Sequence, residues 1–101
     1  MGKYSVEYLP IAINDLEDIF NYIAEDDPSS ASAFLNEIDV AILHLEEFPE
    51  MGLIPKVRRL MNKGYRMLII NEYLVFYVLI GNIVEIRRII SSKRNYVSLL
   101  F

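Results

Sequence analysis

The order of apolar and polar residues predicts a short strand and then a helix at the start of the chain. Residues 3–8, KYSVEY, alternate and are rich in β-formers, which is typical of a strand. From Pro10 onward the apolar residues recur at steps of three and four, and this period predicts an amphipathic helix. Pro10 fits the first helical turn, because the N–H group that proline lacks would have no helical partner there.

A second helix is predicted to begin at Pro28. Asp27 is a natural N-cap for it, and Pro49 and Gly52 are expected to end it. Its apolar stripe contains Ala31, Phe34, Ile38, Ala41, Leu45 and Phe48. Because only a couple of residues separate the two helices, we expect an antiparallel helical hairpin.

From Ile54 the period becomes two, which predicts strands over residues 54–61, 65–70, 74–80 and 83–90. Short connections join these runs, and Gly81-Asn82 is a strong two-residue hairpin signal, so the strands should form an antiparallel meander. The predicted fold class is α+β in a single domain, residues 1–101. In it an N-terminal strand and the helical hairpin pack on one face of a twisted antiparallel β-sheet.

The run LVFYVLI, residues 74–80, is apolar on both faces, as a strand covered on both sides would be. The helical hairpin can cover only one of these faces. The other must be covered by the C-terminal segment YVSLLF, residues 96–101, or by another molecule. An open apolar groove next to positive charges would be a protein-docking site.

Composition limits the compartment and the chemistry. The chain has no cysteine, which excludes a disulfide framework and a cysteine-based metal site. The N-terminus has no signal-peptide core and no apolar run approaches a membrane span, so we expect a cytoplasmic protein without a membrane partner. His44 is the only histidine, no residue spacing fits a metal, and no Gly-rich phosphate loop is present. We expect neither a metal nor a cofactor.

Charge is distributed unevenly along the chain. Residues 1–50 hold one cation against twelve acids, and residues 51–101 hold nine cations against two, so the halves carry about −11 and +7. This asymmetry indicates either a basic working surface or two halves that neutralise each other across one fold. Strand alternation places Arg58 and Arg59 on opposite faces, and Arg87 and Arg88 likewise. The cations expected to meet at one edge of the open sheet face are Arg66, Lys93, Arg94, one of Arg58 and Arg59, and one of Arg87 and Arg88.

Some of these cations also have a structural interpretation. Arg66 follows a turn and would pair with Glu72 across a hairpin. Arg88 shares its face with Ile86 and Ile90, which favours a structural role, and a cation that points toward the helices must pair with one of their acids. Metal-free RNA cleavage would need a proton acceptor, donors for the phosphate charge and an acid, roles that lysine, arginine and tyrosine can supply.

Three segments together form a family pattern: YSVEYLPIAINDLEDIFNYIAEDDPSSA, LEEFPEMG and KGYRMLIINEYLVFYVLIGNIVEIRRIISSKRNY. In this order and spacing they resemble the RelE/ParE superfamily, the toxins of bacterial type II toxin–antitoxin pairs, over essentially the whole chain. The resemblance implies a helical hairpin on an antiparallel sheet, and a hetero-oligomer with an antitoxin whose C-terminal segment wraps the toxin. It also implies one of two targets: RelE-like members cleave mRNA in the ribosome, and ParE-like members poison DNA gyrase.

The resemblance assigns roles to individual residues. Arg66 in GYR matches a phosphate-binding arginine of the RelE-like nucleases, Arg94 matches the arginine after the last strand, and Arg59 lies where those enzymes often carry a lysine or arginine. For a nuclease, the implied catalytic residues are Arg66, Arg94, Lys93 and Tyr96. The implied target-binding residues are Arg58, Arg59, Arg66, Arg87, Lys93 and Arg94, and the implied antitoxin-binding residues are Tyr96, Leu99, Leu100 and Phe101.

Several departures separate the chain from the nuclease pattern. Ser91 stands where many relatives place a histidine, Leu9 replaces a helix-capping serine, and the C-terminal tyrosine of RelE has no clear counterpart. The acidic balance and the long helical hairpin favour the ParE-like branch. We therefore predict a growth-inhibiting toxin of a type II toxin–antitoxin system that acts on DNA gyrase. The alternatives are a metal-independent, ribosome-dependent mRNA endoribonuclease and a non-toxic protein-binding relative, so whether the protein is an enzyme stays open at this point.

Overall fold

The computed structural model describes residues 3–100. Along the chain its elements are β1 (Ser5–Tyr8), α1 (Pro10–Asp26), α2 (Pro28–Leu43), a 3₁₀ turn (His44–Glu46), α3 (Arg58–Asn62), β2 (Arg66–Ile70), β3 (Tyr73–Ile80), β4 (Ile83–Ser91) and α4 (Tyr96–Leu100). The α+β class and the helical hairpin on one face of the sheet are confirmed. Within the described range, no helix combines the length and apolar character that crossing a bilayer requires.

The four strands form one mixed sheet in the order β1-β4-β3-β2. β2 pairs with β3 and β3 with β4, both antiparallel, as predicted. β1 pairs in parallel with the edge of β4 that faces away from β3, so the sheet is not purely antiparallel. Two neighbouring parallel strands need a long crossover connection. Here the chain from α1 to β3, which begins with the helical hairpin, is that connection. Gly81 has a φ of 59°, the left-handed conformation that the predicted hairpin turn requires.

The start of α2 follows the predicted capping pattern. The side chain of Asp27 accepts hydrogen bonds from the backbone amides of Ser29 and Ser30, at 3.1 and 3.3 Å, and Pro28 occupies the first helical turn. The Ser30 hydroxyl also donates to Asp27, at 2.7 Å, and these bonds lower the pKa of Asp27. Asp27 therefore caps both helices: its backbone amide donates to the carbonyl oxygen of Ile23 at the end of α1, and its carboxylate accepts at the start of α2.

The hairpin side of the sheet contains the larger of two apolar clusters. Leu16 of α1 and Phe34, Ile38 and Ile42 of α2 pack there against the sheet residues Leu68, Val75, Tyr77, Val84, Ile86 and Ile89. Leu45, which the stripe predicted as a core residue, is fully buried in the 3₁₀ turn. Phe48 is 60% exposed, so its placement in the stripe was wrong, because α2 ends before it.

The strand predicted over residues 54–61 is wrong: this segment contains the short helix α3. Val57, Leu60 and Met61 follow the three- and four-residue spacing of a helix, and Pro55 has no N–H to donate to a sheet. Arg58 and Arg59 are consequently neighbours on a helix, and the prediction that they lie on opposite faces of a strand fails.

The second face of the sheet is covered by the chain itself, in part by the C-terminal segment as one of the two alternatives predicted, so the described part of the chain leaves no open groove there. Leu60 of α3 joins a second buried cluster with Tyr65, Leu74, Phe76, Val78 and Ile90. Tyr96, Leu99 and Leu100 of α4 pack against this cluster from outside. Two short helices therefore close the face that the hairpin cannot reach.

We predict that replacing Leu60 by alanine will lower the free energy of unfolding by about 2–5 kcal/mol, because this fully buried side chain is the main anchor of α3. Met61→Ala is the matched control, since Met61 is its neighbour on the same helix and is half exposed; we expect a change within about 0.5 kcal/mol. Chemical denaturation measures both variants. Equal losses would contradict the assignment of Leu60 as the anchor.

Candidate target-binding surface

The cations of the second half occupy several separate places, and the densest group surrounds α3. This group, the α3 cations, consists of Lys56, Arg58, Arg59 and Lys63, all of them exposed. No acidic residue occurs between residues 56 and 63. Because buried Leu60 turns one side of the helix toward the sheet, the charges are displayed on the outside of the covered face.

Arg87 lies at an irregularity in β4. The pairing shifts between Tyr77 opposite Ile86 and Phe76 opposite Arg88, which leaves Arg87 as the extra residue of a β-bulge. The bulge breaks the predicted alternation, so Ile86 belongs to the hairpin-side cluster and Ile90 to the opposite one.

The guanidinium of Arg87 is held by its neighbours. Its Nε donates to Glu85 at 2.8 Å, and the charge lies 5.6 Å from the ring centre of Tyr65. Burial acts against the charged form, but the hydrogen bonds to Tyr65 and Glu85 outweigh it and raise the pKa of Arg87. The positive charge of Arg87 is therefore partly neutralised by Glu85 and the Tyr65 ring, at the edge of the covered face.

Arg88 has a structural partner on α1. Its Nε and Nη2 donate to the two carboxylate oxygens of Asp15, at 2.8 and 2.9 Å, so Arg88 pairs with an acid of the helical hairpin although it lies opposite Phe76 of the other sheet face. Its Nη1 donates to the carbonyl oxygen of Leu99 in α4, at 2.8 Å. The bonds to Asp15 raise the pKa of Arg88, so this arginine is permanently charged, and each of its three side-chain nitrogens donates a hydrogen bond.

Arg66 does not join the other cations. It lies directly opposite Tyr77, whose side chain belongs to the hairpin-side cluster, and opposed residues share a face. Its Nη1 donates to the carbonyl oxygens of Glu50 and Gly52, at 3.1 and 3.0 Å, and Glu50 is its ion-pair partner at 3.8 Å. The pairing expected with Glu72 is absent; Glu72 lies near Lys93 instead.

Tyr77 holds the same loop as Arg66, the one that follows the 3₁₀ turn. Its hydroxyl donates to the carbonyl oxygen of Pro49 at 2.7 Å and accepts from the amide of Gly52 at 2.9 Å. A Cβ at Gly52 would lie 2.6 Å from that hydroxyl oxygen and 2.9 Å from the carbonyl oxygen of Met67, so only glycine fits. Burial raises the pKa of Tyr77, which keeps the hydroxyl protonated as a donor.

Lys93 and Arg94 lie at the far end of the sheet from Arg66. They follow β4, which ends at Ser91 opposite Tyr73, whereas Arg66 pairs with Tyr77. The four residues from Tyr73 to Tyr77 span about 13 Å of strand. The predicted meeting of Arg66 with Lys93 and Arg94 is therefore not observed.

The last predicted catalytic residue, Tyr96, is a packing residue in this structure. Its ring lies 5.2 Å from that of Phe76, measured between centroids, and is half-buried. Leu99 and Leu100 pack beside it, whereas Phe101 lies outside the described residues.

Two cations of the basic surface were missed at the sequence level. Lys56 and Lys63 flank α3, and the signal that could have identified them is the three-residue spacing of Val57 and Leu60, which makes the whole segment a helix with its charges outside. Among residues 3–100, no group of three or more histidine and carboxylate side chains could hold a metal ion.

Comparison with known proteins gives one family. Residues 6–96 match the family model described as "ParE toxin of type II toxin-antitoxin system, parDE". The comparison with curated proteins gives no match. A solved structure titled "Chromosomal ParDE TA system from P. aeruginosa" is similar, with a TM-score of 0.73 and 20% sequence identity over 88% of this chain and 96% of that one. At this identity the structural likeness establishes the fold.

We predict that Tyr77→Phe will lower the free energy of unfolding by about 1–3 kcal/mol, because it leaves the buried amide of Gly52 without an acceptor. Exchange of that amide with solvent should also become faster. Tyr22→Phe is the control, since Tyr22 is 73% exposed. Unchanged exchange at Gly52 would show that Tyr77 does not hold the loop.

Proposed function

We propose that this protein, which belongs to the ParE toxin family and is the toxin component of a type II toxin–antitoxin system, arrests growth by inhibiting DNA gyrase. The family implies an antitoxin partner. A gyrase target would place the protein in the cytoplasm, in agreement with the composition.

The arrangement of the implied nuclease residues supports gyrase over mRNA as the target. RNA cleavage without a metal requires the phosphate donors and the proton-transfer group to surround one phosphate. Here Arg66 is held by two backbone carbonyls on the hairpin side of the sheet, while Lys93 and Arg94 lie at its other end. Tyr96 packs against Phe76. These side chains do not converge, and this is the observation that carries the proposal.

The surface proposed to contact the target is the outside of the covered sheet face. Lys56 and Arg58 are exposed there, in a segment of four cations without an acid, and α4 packs on the same face of the sheet. A gyrase–DNA complex presents phosphates to which lysine and arginine can bind. The interaction should weaken as salt rises, because exposed charges are screened.

The C-terminal helix is the second part of the proposal. Tyr96, Leu99 and Leu100 are half-buried and keep part of their surface outside the buried cluster. We assign to α4 both a contribution to gyrase inhibition and an antitoxin contact. An antitoxin that extends across both α4 and α3, which cover the same face of the sheet, would occlude the α3 cations and so neutralise the toxin.

Arg58→Glu should reduce inhibition of gyrase supercoiling at least tenfold, because it reverses the charge of an exposed cation of the surface. Lys3→Glu changes the net charge by the same amount at an exposed position near the 3₁₀ turn, and we expect less than a twofold effect. Purified toxin and a titration of each variant in a supercoiling assay give the result. An equal loss of gyrase inhibition in both variants would mean that only net charge matters, and it would refute the proposed target surface.

The same preparation should not cleave mRNA on programmed ribosomes. If the unmodified toxin cleaves mRNA and the Arg66→Ala variant does not, the protein is a nuclease and the gyrase proposal is wrong. Induction of the gene alone should stop bacterial growth, and normal growth with folded protein present would favour a non-toxic, protein-binding relative.

A further inference from the structure

The outer edge of β1 is an uncovered edge of the sheet. β1 is the terminal strand, and among residues 3–100 no second strand pairs with it on that side. The amides of Ser5 and Leu9 donate toward β4, both at 3.0 Å. Because backbone groups alternate along a strand, the N–H and C=O groups of Val6 and Tyr8 point away from β4. This edge can therefore accept an additional strand.

A hollow of about 290 Å³ lies beside this edge, between β1 and α2. Its wall combines an apolar part and two carboxylates, and consists of Val6, Tyr8, Asp39, Ile42, Leu43 and Glu46. The hydroxyl of Tyr8 donates to Asp39 at 3.3 Å, and the carbonyl oxygen of Glu46 accepts from two amides at the start of the chain. Asp39 is thus bonded to β1, and Glu46 to the two residues that precede β1.

The composition of the wall selects a lysine or arginine side chain. Its aliphatic part would lie on Ile42 and Leu43, and its charge would reach Asp39 and Glu46. No wall residue is basic, and the surrounding hairpin belongs to the acidic half of the chain. Along an added strand, alternate side chains would point into the hollow.

We propose that an extended segment of the antitoxin pairs with the outer edge of β1 and inserts a lysine or arginine side chain into the hollow between β1 and α2. The proposal rests on the family's toxin assignment and does not depend on gyrase as the target. A second copy of this chain is a poorer occupant. Its Lys56 follows Pro55, which has no N–H for strand pairing, and Arg58 is in a helix.

Amide exchange in the full toxin and in its complex tests the strand pairing. The cognate antitoxin would be co-expressed and purified with the toxin, and amide exchange would be followed residue by residue by NMR. We expect the Val6 and Tyr8 amides to be at least a hundredfold slower in the complex. Ser5 and Leu9 serve as internal references, since their amides are already bonded in the free toxin.

Two outcomes of this experiment would overturn the proposal. Protection confined to α4 would place the antitoxin elsewhere. Slow exchange of Val6 and Tyr8 in the free toxin, increasing with its concentration, would show that a second copy occupies the edge.

Charge neutralisation tests the hollow separately. The double variant Asp39→Asn with Glu46→Gln keeps the acceptor for Tyr8 and should raise the Kd for the antitoxin at least tenfold. Glu25→Gln with Asp26→Asn is the matched control at exposed positions of α1, with less than a twofold effect expected. Equal effects of the two pairs would refute the hollow as the cation site. Gyrase inhibition by the free variant toxins should be unchanged, so failure here and failure of the gyrase proposal are distinguishable.

Discussion

The carboxylate of Asp15 connects three parts of the molecule. It accepts two hydrogen bonds from Arg88 and a third from the amide of Ile89, at 2.9 Å, while Arg88 also donates to Leu99 of α4. The Asp15 and Arg88 side chains are only 12% and 17% exposed, so loss of either would leave a poorly solvated charge without its partner. The position of the helical hairpin on the bulged strand and the docking of α4 both depend on this ion pair.

Closure of the second sheet face determines where a target can bind. Because α3 and α4 cover the apolar cluster around Phe76, the described part of the chain has no open groove on that side, and the target surface that we propose lies on the outside of the two helices. The outside of α3 carries the cations, whereas the acidic hairpin and the free edge of β1 lie elsewhere on the molecule. In our proposals, the basic surface contacts the target and the acidic hollow beside β1 receives a segment of the antitoxin.

Local signals predicted the parts of the fold that local chemistry decides. Asp27 and Pro28 identified the start of α2, and Gly81 identified the hairpin turn, because caps and turns depend on single residues. The parallel placement of β1, the bulge at Arg87 and the rotation of Arg66 to the hairpin side depend on pairing between distant segments, which periodicity does not encode. The candidate site was predicted as a set of cations, but its geometry was not, since α3 was mistaken for a strand.

A double-mutant cycle on Asp15 and Arg88 tests most directly whether one ion pair holds the three parts together. The variants Asp15→Asn, Arg88→Gln and their combination would be compared by unfolding free energy and by exchange of the α4 amides. We predict a coupling energy of about 1–3 kcal/mol and faster exchange in α4 for each single variant. Additive free energies with unchanged α4 exchange would contradict the claim that this ion pair holds α1, β4 and α4 together.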